Sequence, residues 1–121
     1  MNKKLLQSIV KRAHLIIEKH GLPYDDIVVS SQTGGSFTPS RTGGTLRQHQ
    51  TTVHVRFTPP LERRSGGGYL GAIWNALRVD GTAYAETEEK AADRALAMLD
   101  ENLARDIAKL NDTHRAILFR K

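Results

Sequence analysis

The stretch TTVHVRFT, residues 51 to 58, alternates with a period of two, so Val53, Val55 and Phe57 fall on one face and His54 and Arg56 on the other. A strand with one apolar and one polar face needs neighbouring strands for its backbone and a covering layer for its apolar side. The rest of the chain has to supply both.

Two helical patterns supply the cover. Leu5, Leu6, Ile9, Val10, Ala13, Ile16 and Ile17 recur at helical spacing, with Lys4, Lys11, Arg12 and Lys19 mostly on the opposite side. Gly21 and Pro23 close this first helix near His20. The stretch is basic and amphipathic, as a mitochondrial presequence is, but it lacks an Arg- and Ser-rich lead-in and runs into a turn at HGLPYDD, so a structural helix is expected. Thr87 is a good N-cap, and Glu88 and Glu89 suit the positive end of a helix dipole. Ala92, Ala95, Leu96, Leu99, Leu103, Ile107 and Leu110 continue as a long apolar stripe, which predicts a second helix to about Leu110. The remaining tail, 111–121, is expected to add a last turn or a short strand.

Between the helices, DIVVSSQT reads as a strand. Residues 33–50, with two Gly pairs, a Pro and no period, read as a long flexible basic loop, and 59–68, with Pro59, Pro60 and a Gly run, as a second. SGGGYLGAIWNALRVDG, residues 65 to 81, is open to two readings. Leu70, Ile73, Trp74 and Leu77 have helical spacing, whereas Asp80-Gly81 is a two-residue hairpin signal that pairs Val79 with Thr82 and Leu77 with Tyr84. The hairpin is preferred, with Ala72, Trp74, Ala76, Ala83 and Ala85 on one face. The expected fold is α+β: an antiparallel sheet of three or four strands against two helices, in the order α-β-β-β-β-α, with long Gly-rich loops.

A chain of 121 residues is the size of one domain. The absence of cysteine excludes a disulfide frame, a thiolate nucleophile and a Cys-based zinc site, and fits a reducing, cytoplasmic setting. No apolar run approaches the roughly 20 residues that cross a bilayer, so no membrane partner is expected. The net charge of +5 is uneven: residues 1 to 68 carry ten Lys and Arg against four acids, and residues 69 to 121 carry eight against nine. A basic half beside a near-neutral half points to a polyanionic partner, most simply nucleic acid.

The motifs for other chemistry lack their context. Gly66, Gly68 and Gly71 satisfy GxGxxG, but no strand leads directly into the motif and no parallel βαβ unit follows. His14, His20, His49, His54 and His114 show no metal-ligand spacing. Asp93, Asp100, Asp106 and Asp112 read as solvated helix surface, so no catalytic residue, metal or cofactor is expected. What remains is basic: Lys4, Lys11, Arg12 and Lys19 on the first helix, Arg41 and Arg47 in the first loop, and Arg63 and Arg64 in the second, all suited to phosphate oxygens. In an antiparallel meander the two loops lie at opposite ends of the sheet.

With this order, the chain resembles a double-stranded RNA-binding domain. GLPYDDIVVSS is similar to the turn and first strand of that family, and LRVDGTAYAETEEKAADRALAML to its last hairpin and second helix, together about two thirds of the chain. The resemblance implies a pair of lysines spanning groove phosphates at the start of the second helix, where this chain has Glu88 and Glu89. The expected function is a non-enzymatic nucleic-acid-binding accessory protein, on DNA or RNA without strong sequence preference. The alternative is a protein-interaction module, a homo-oligomer or an inhibitor of a larger complex, acting through the second helix and through Ile117, Leu118 and Phe119 of the tail.

Overall fold

A computed structural model describes residues 1–38, 45–60, 73–74 and 76–119; for 34–38 and 45–49 the backbone alone is described. Its elements are α1 (Lys3–Lys19), β1 (Asp26–Thr38), β2 (Thr45–Thr58), β3 (Asp80–Ala85), α2 (Glu88–Ala108) and α3 (Asp112–Leu118). The strands form one antiparallel meander in the order β1-β2-β3. The fold is α+β, with three strands and three helices among the described residues.

The alternation in β2 sets the two faces of the sheet. Val53, Val55 and Phe57 are buried, and the register places Ser31, Val29 and Ile27 of β1 and Ala83 and Gly81 of β3 on the same side. Both long helices cover that side, α1 over β1 and α2 over β2 and β3. From α1 come Ile9, Ala13 and Ile17, and from α2 Ala91, Ala92, Ala95, Leu96, Leu99 and Leu103. The opposite face, with Ser30, Thr52, Arg56, Thr82 and Tyr84, is open.

Helix ends are capped as their residues dictate. Asn2 accepts the Leu5 amide at 2.7 Å, and Thr87 accepts that of Lys90 at 3.2 Å. Gly21 takes φ +71° just past α1, a left-handed turn that a residue with Cβ rarely adopts. The tail is helical: Asn111 caps α3, and Arg115 donates to the carbonyls of Ile107 and Ala108, satisfying the last turn of α2. Leu118 is fully buried in the core and Ile117 packs against it.

Three sequence expectations are corrected. Among the described residues there is no fourth strand before β3: Ala76 N–H donates to Ile73 O and Leu77 N–H to Trp74 O, each at 3.1 Å, as in a helical turn. A helical turn puts Ile73, Trp74 and Leu77 in the core together, whereas a strand would send neighbours Ile73 and Trp74 to opposite faces. Trp74 then meets Phe57 edge-on, with ring centroids 6.4 Å apart. Ala72 lies outside the described residues, and Ala76 is exposed.

Asp80-Gly81 is not a hairpin turn either, since both residues lie in β3, where Asp80 pairs with Arg56 and Gly81 with Val55 of β2. The first loop is mostly strand, because β1 runs to Thr38 and β2 starts at Thr45. Of the second loop, Pro59 and Pro60 are described and 61–68 are not.

The reason for glycine at position 81 is proximity, not turn geometry. A Cβ built there would press on the carbonyl oxygen of Ala95 and lie 2.5 Å from the amide nitrogen of Leu99, both backbone atoms of α2. Backbone cannot rotate away as a side chain can, so α2 would have to lift off the sheet. Gly81→Ala is expected to destabilise the fold by about 2–3 kcal/mol through overpacking. Urea denaturation should show a lower midpoint with an unchanged slope; a wild-type midpoint would mean that the helix is free to shift.

Candidate nucleic-acid interface

Helices α1 and α2 lie side by side and run in the same direction, as their ion pairs show. Arg12 Nη1 sits 2.7 Å from Asp93 Oδ1, and Lys19 Nζ 2.7 Å from Asp100 Oδ2. Each helix advances seven residues, or two turns, between the pairs. His20 Nε2 reaches the other oxygen of Asp100 at 2.7 Å. Two of the four helix cations read as phosphate ligands, Arg12 and Lys19, are therefore engaged by acids of α2. Composition counts those charges but cannot see partners 81 residues away in sequence.

The remaining cations of α1 are different. Lys4 and Lys11 are exposed and have no ion-pair partner among the described residues, and the same holds for Lys3, which the helical spacing of the sequence does not single out. The signal for Lys3 was the cap: with Asn2 as N-cap, Lys3 and Lys4 are the first two residues of the helix. There the unsatisfied amides and the helix dipole already carry positive character, so two lysines raise a local positive potential. Lys4 also lines a groove of about 410 Å³ between the helices, together with Ser8 and Arg12 of α1 and Glu89 and Asp93 of α2. The acids there balance the cations, which makes the groove itself a poor anion site.

Polar contacts fix which end of the sheet this helix terminus adjoins. The Met1 amino group lies 3.7 Å from Glu88 Oε2, and that carboxylate accepts the Ser31 hydroxyl of β1 at 2.6 Å. Both helix N-termini thus sit toward the end where β1 and β2 continue past β3. Beyond Thr33 and Thr51, level with Ala85 at the end of β3, the two strands pair alone to Thr38 and Thr45, with an irregularity between Gly35 and Phe37. At about 3.4 Å per residue this two-stranded arm extends roughly 17 Å. No acidic residue occurs between Asp26 and Glu62, so the arm and its continuation are acid-free.

The arm gathers some predicted ligands and separates others. Arg47 belongs to β2 within it, and Arg41 lies outside the described residues, in the segment joining its two strands. Lys19 sits at the far end of α1, beside His20 and Gly21. Arg63 and Arg64 are likewise outside the described residues, and β2 ends at Thr58, the end of the sheet opposite the arm. His54 faces the open side of the sheet with Nε2 3.1 Å from Asp80 Oδ2, and His14 bonds Tyr24 Oη at 2.6 Å and Glu18 at 3.0 Å. Among the described residues no group of His, Cys, Asp or Glu is placed to hold a metal ion, and no helix is long and apolar enough to cross a membrane. In the tail, Phe119 is partly exposed and its ring lies against Gly21, while Leu118 belongs to the chain's own core.

Comparisons with known proteins find no matching family model, no matching curated protein and no matching solved structure.

The hydrogen bonds from Lys19 and then His20, helped by their charges and partly opposed by burial, hold the Asp100 carboxyl below its ordinary value. A carboxylate with a lower pKa in the folded state contributes stability that is complete above its unfolded pKa, near 3.9, and is lost as pH falls through the folded value. Asp100→Asn should cost about 1 kcal/mol at neutral pH, allowing for the solvent that reaches the group. In a pH series of urea melts, wild type and variant should converge in strong acid. A gap that stays constant down to strong acid would show that Asp100 acts by packing rather than charge.

Proposed function

We propose that the protein is a non-enzymatic accessory factor that binds duplex nucleic acid, with the β1-β2 arm entering a groove and the first turns of α1 on the flanking phosphates. The observation that carries this reading is the juxtaposition of an acid-free two-stranded arm with the start of α1, where Lys3 and Lys4, followed two turns on by Lys11, have no ion-pair partner among the described residues. A two-stranded ribbon fits a groove about 12 Å wide, and lysines position a backbone without reading its sequence. The resemblance to double-stranded RNA-binding domains read from the sequence points to the same class of partner, a duplex.

The departure from that family is chemical. Glu88 and Glu89 open α2 where the resemblance implies lysines, and Glu88 is engaged by Ser31 and the Met1 amino group. Acids there repel a phosphate row, so α2 stays off the duplex and the contact shifts to α1 and the arm. A smaller contact follows, with low affinity and a shallow salt dependence.

Titration of a labelled DNA duplex and an RNA duplex of matched sequence should give log K falling linearly with log salt. About four phosphate contacts on B-form DNA, from Lys3, Lys4, Lys11 and Arg47, correspond to a slope near −3.6. The triple variant Lys3→Glu, Lys4→Glu, Lys11→Glu should remove at least about three quarters of that slope, and Arg47→Ala should lower it by about one. Lys19→Ala, which loses a cation already neutralised by Asp100, should leave binding unchanged. Binding of neither duplex at low salt, even at the usual non-specific level of about 10⁻⁴ M, would defeat the proposal.

A further inference from the structure

The edge of the sheet remote from α1 is β3, and its hydrogen bonding leaves a defined opening. Phe57 N–H donates to Val79 O at 3.1 Å, which makes Gly81, Ala83 and Ala85 the residues bonded to β2 and turns the backbone groups of Asp80, Thr82 and Tyr84 outward. Two of the three outward carbonyls are taken by α2: Asn102 Nδ2 donates to Asp80 O at 3.0 Å, and Arg94 Nη1 to Tyr84 O at 3.1 Å. Thr82, at the centre, has no backbone partner for either group among the described residues. Beside it lies a groove of about 440 Å³ lined by Thr82, Ala83, Tyr84, Arg94, Ala97 and Met98. Tyr84 is 62% and Met98 40% exposed, so two large apolar groups flank an unpaired stretch of strand edge.

We propose that this face is a homodimer interface, on which a second copy of the chain docks antiparallel about a two-fold axis. The charges of α2 specify that occupant. Arg94, Met98 and Glu101 recur at i, i+4 and i+7 on one exposed stripe, and Arg94 and Glu101 are equally distant from the midpoint between Ala97 and Met98. A two-fold axis through that midpoint sets each Arg94 against the partner's Glu101 and each Ala97 against the partner's Met98, a self-complementary contact. Glu101 has no ion-pair partner among the described residues, and Arg94 commits one N–H of its five-donor guanidinium to Tyr84.

Lys90 and Arg105, which the same axis brings face to face, are already compensated within each chain. Lys90 Nζ lies 3.8 Å from Glu86, and Arg105 Nε 3.1 Å from Asp106. The axis reaches the strand at the same groove, where the outward N–H and C=O of Thr82 meet those of the partner's Thr82 as one reciprocal antiparallel pair. Pairing stops there because the carbonyls of Asp80 and Tyr84 are occupied. The interface uses neither α1 nor the arm, so it stands apart from the nucleic-acid reading.

Sedimentation equilibrium of the full chain tests the dimer. The wild type should shift from one to two chain masses with concentration. Arg94→Glu and Glu101→Arg should each raise the dissociation constant at least roughly tenfold, because each places like charges in contact at both symmetric positions. An equimolar mixture of the two variants should regain wild-type affinity as a heterodimer, since the two acids of the R94E chain then face the two arginines of the E101R chain. All three positions are exposed, so both variants and Met98→Asp should keep the wild-type circular dichroism, and Met98→Asp should be monomeric. A wild type that stays monomeric at the highest concentration that remains in solution, or a mixture no more associated than either variant alone, would overturn the proposal.

Discussion

The close approach of α2 to β3 at Gly81 is the constraint from which the rest of the architecture follows. With no side chain at that position, the backbone of Ala95 and Leu99 rests on the strand, and the alanines of α2 keep the helix low along its length. Only at that height does Asn102, itself buried, reach the Asp80 carbonyl, and Arg94 the Tyr84 carbonyl. A helix seated there also presents Asp93 and Asp100 to the neighbouring helix, and the matched steps to Arg12 and Lys19 fix α1 parallel to it. Parallel helices bring their N-termini to one end, and the short chain link from Ala85 to Glu88 makes it the end where the arm leaves the sheet. A single missing Cβ thus determines which charged groups come together.

What was legible in the sequence was whatever buries one face. The stripes of both long helices and the alternation of β2 are records of burial, and each element forms where its stripe lies. The arm carries no such record in its sequence. Beyond Thr33 and Thr51 its two strands pair only with each other among the described residues, and Gly34 and Gly35 weaken the strand signal further. Hydrophobic period reports contact with a core rather than backbone conformation.

Asp80-Gly81 misled by the opposite route. Glycine serves both tight turns and close packing, and only the presence of α2 above it decides between them. Ile73, Trp74 and Leu77 kept a helical spacing over one turn, too short to outweigh a hairpin signal until Phe57 supplied the aromatic partner. The candidate site was legible only as a list of charges. Pairing across 81 residues divides Arg12 and Lys19 from Lys4 and Lys11, and no local pattern carries that information.

The division of charge ends in a contrast between two helix starts. At α2 the ordinary rule holds: a threonine cap and two glutamates meet the positive end of the dipole. At α1 the rule is broken by Lys3 and Lys4, with no acid in the first turn to offset them. Violations of a local preference in an otherwise consistent fold mark positions where something besides folding selects the residue. Here the violation adjoins an arm without a single carboxylate, while Glu88 is engaged by the amino terminus and Ser31, Asp93 pairs with Arg12 at the surface, and Glu89 stays exposed. On the proposed reading the phosphates therefore meet the lysines of α1 and the acid-free arm, while the start of α2, with Glu88 held by Ser31 and the amino terminus, stays out of the contact.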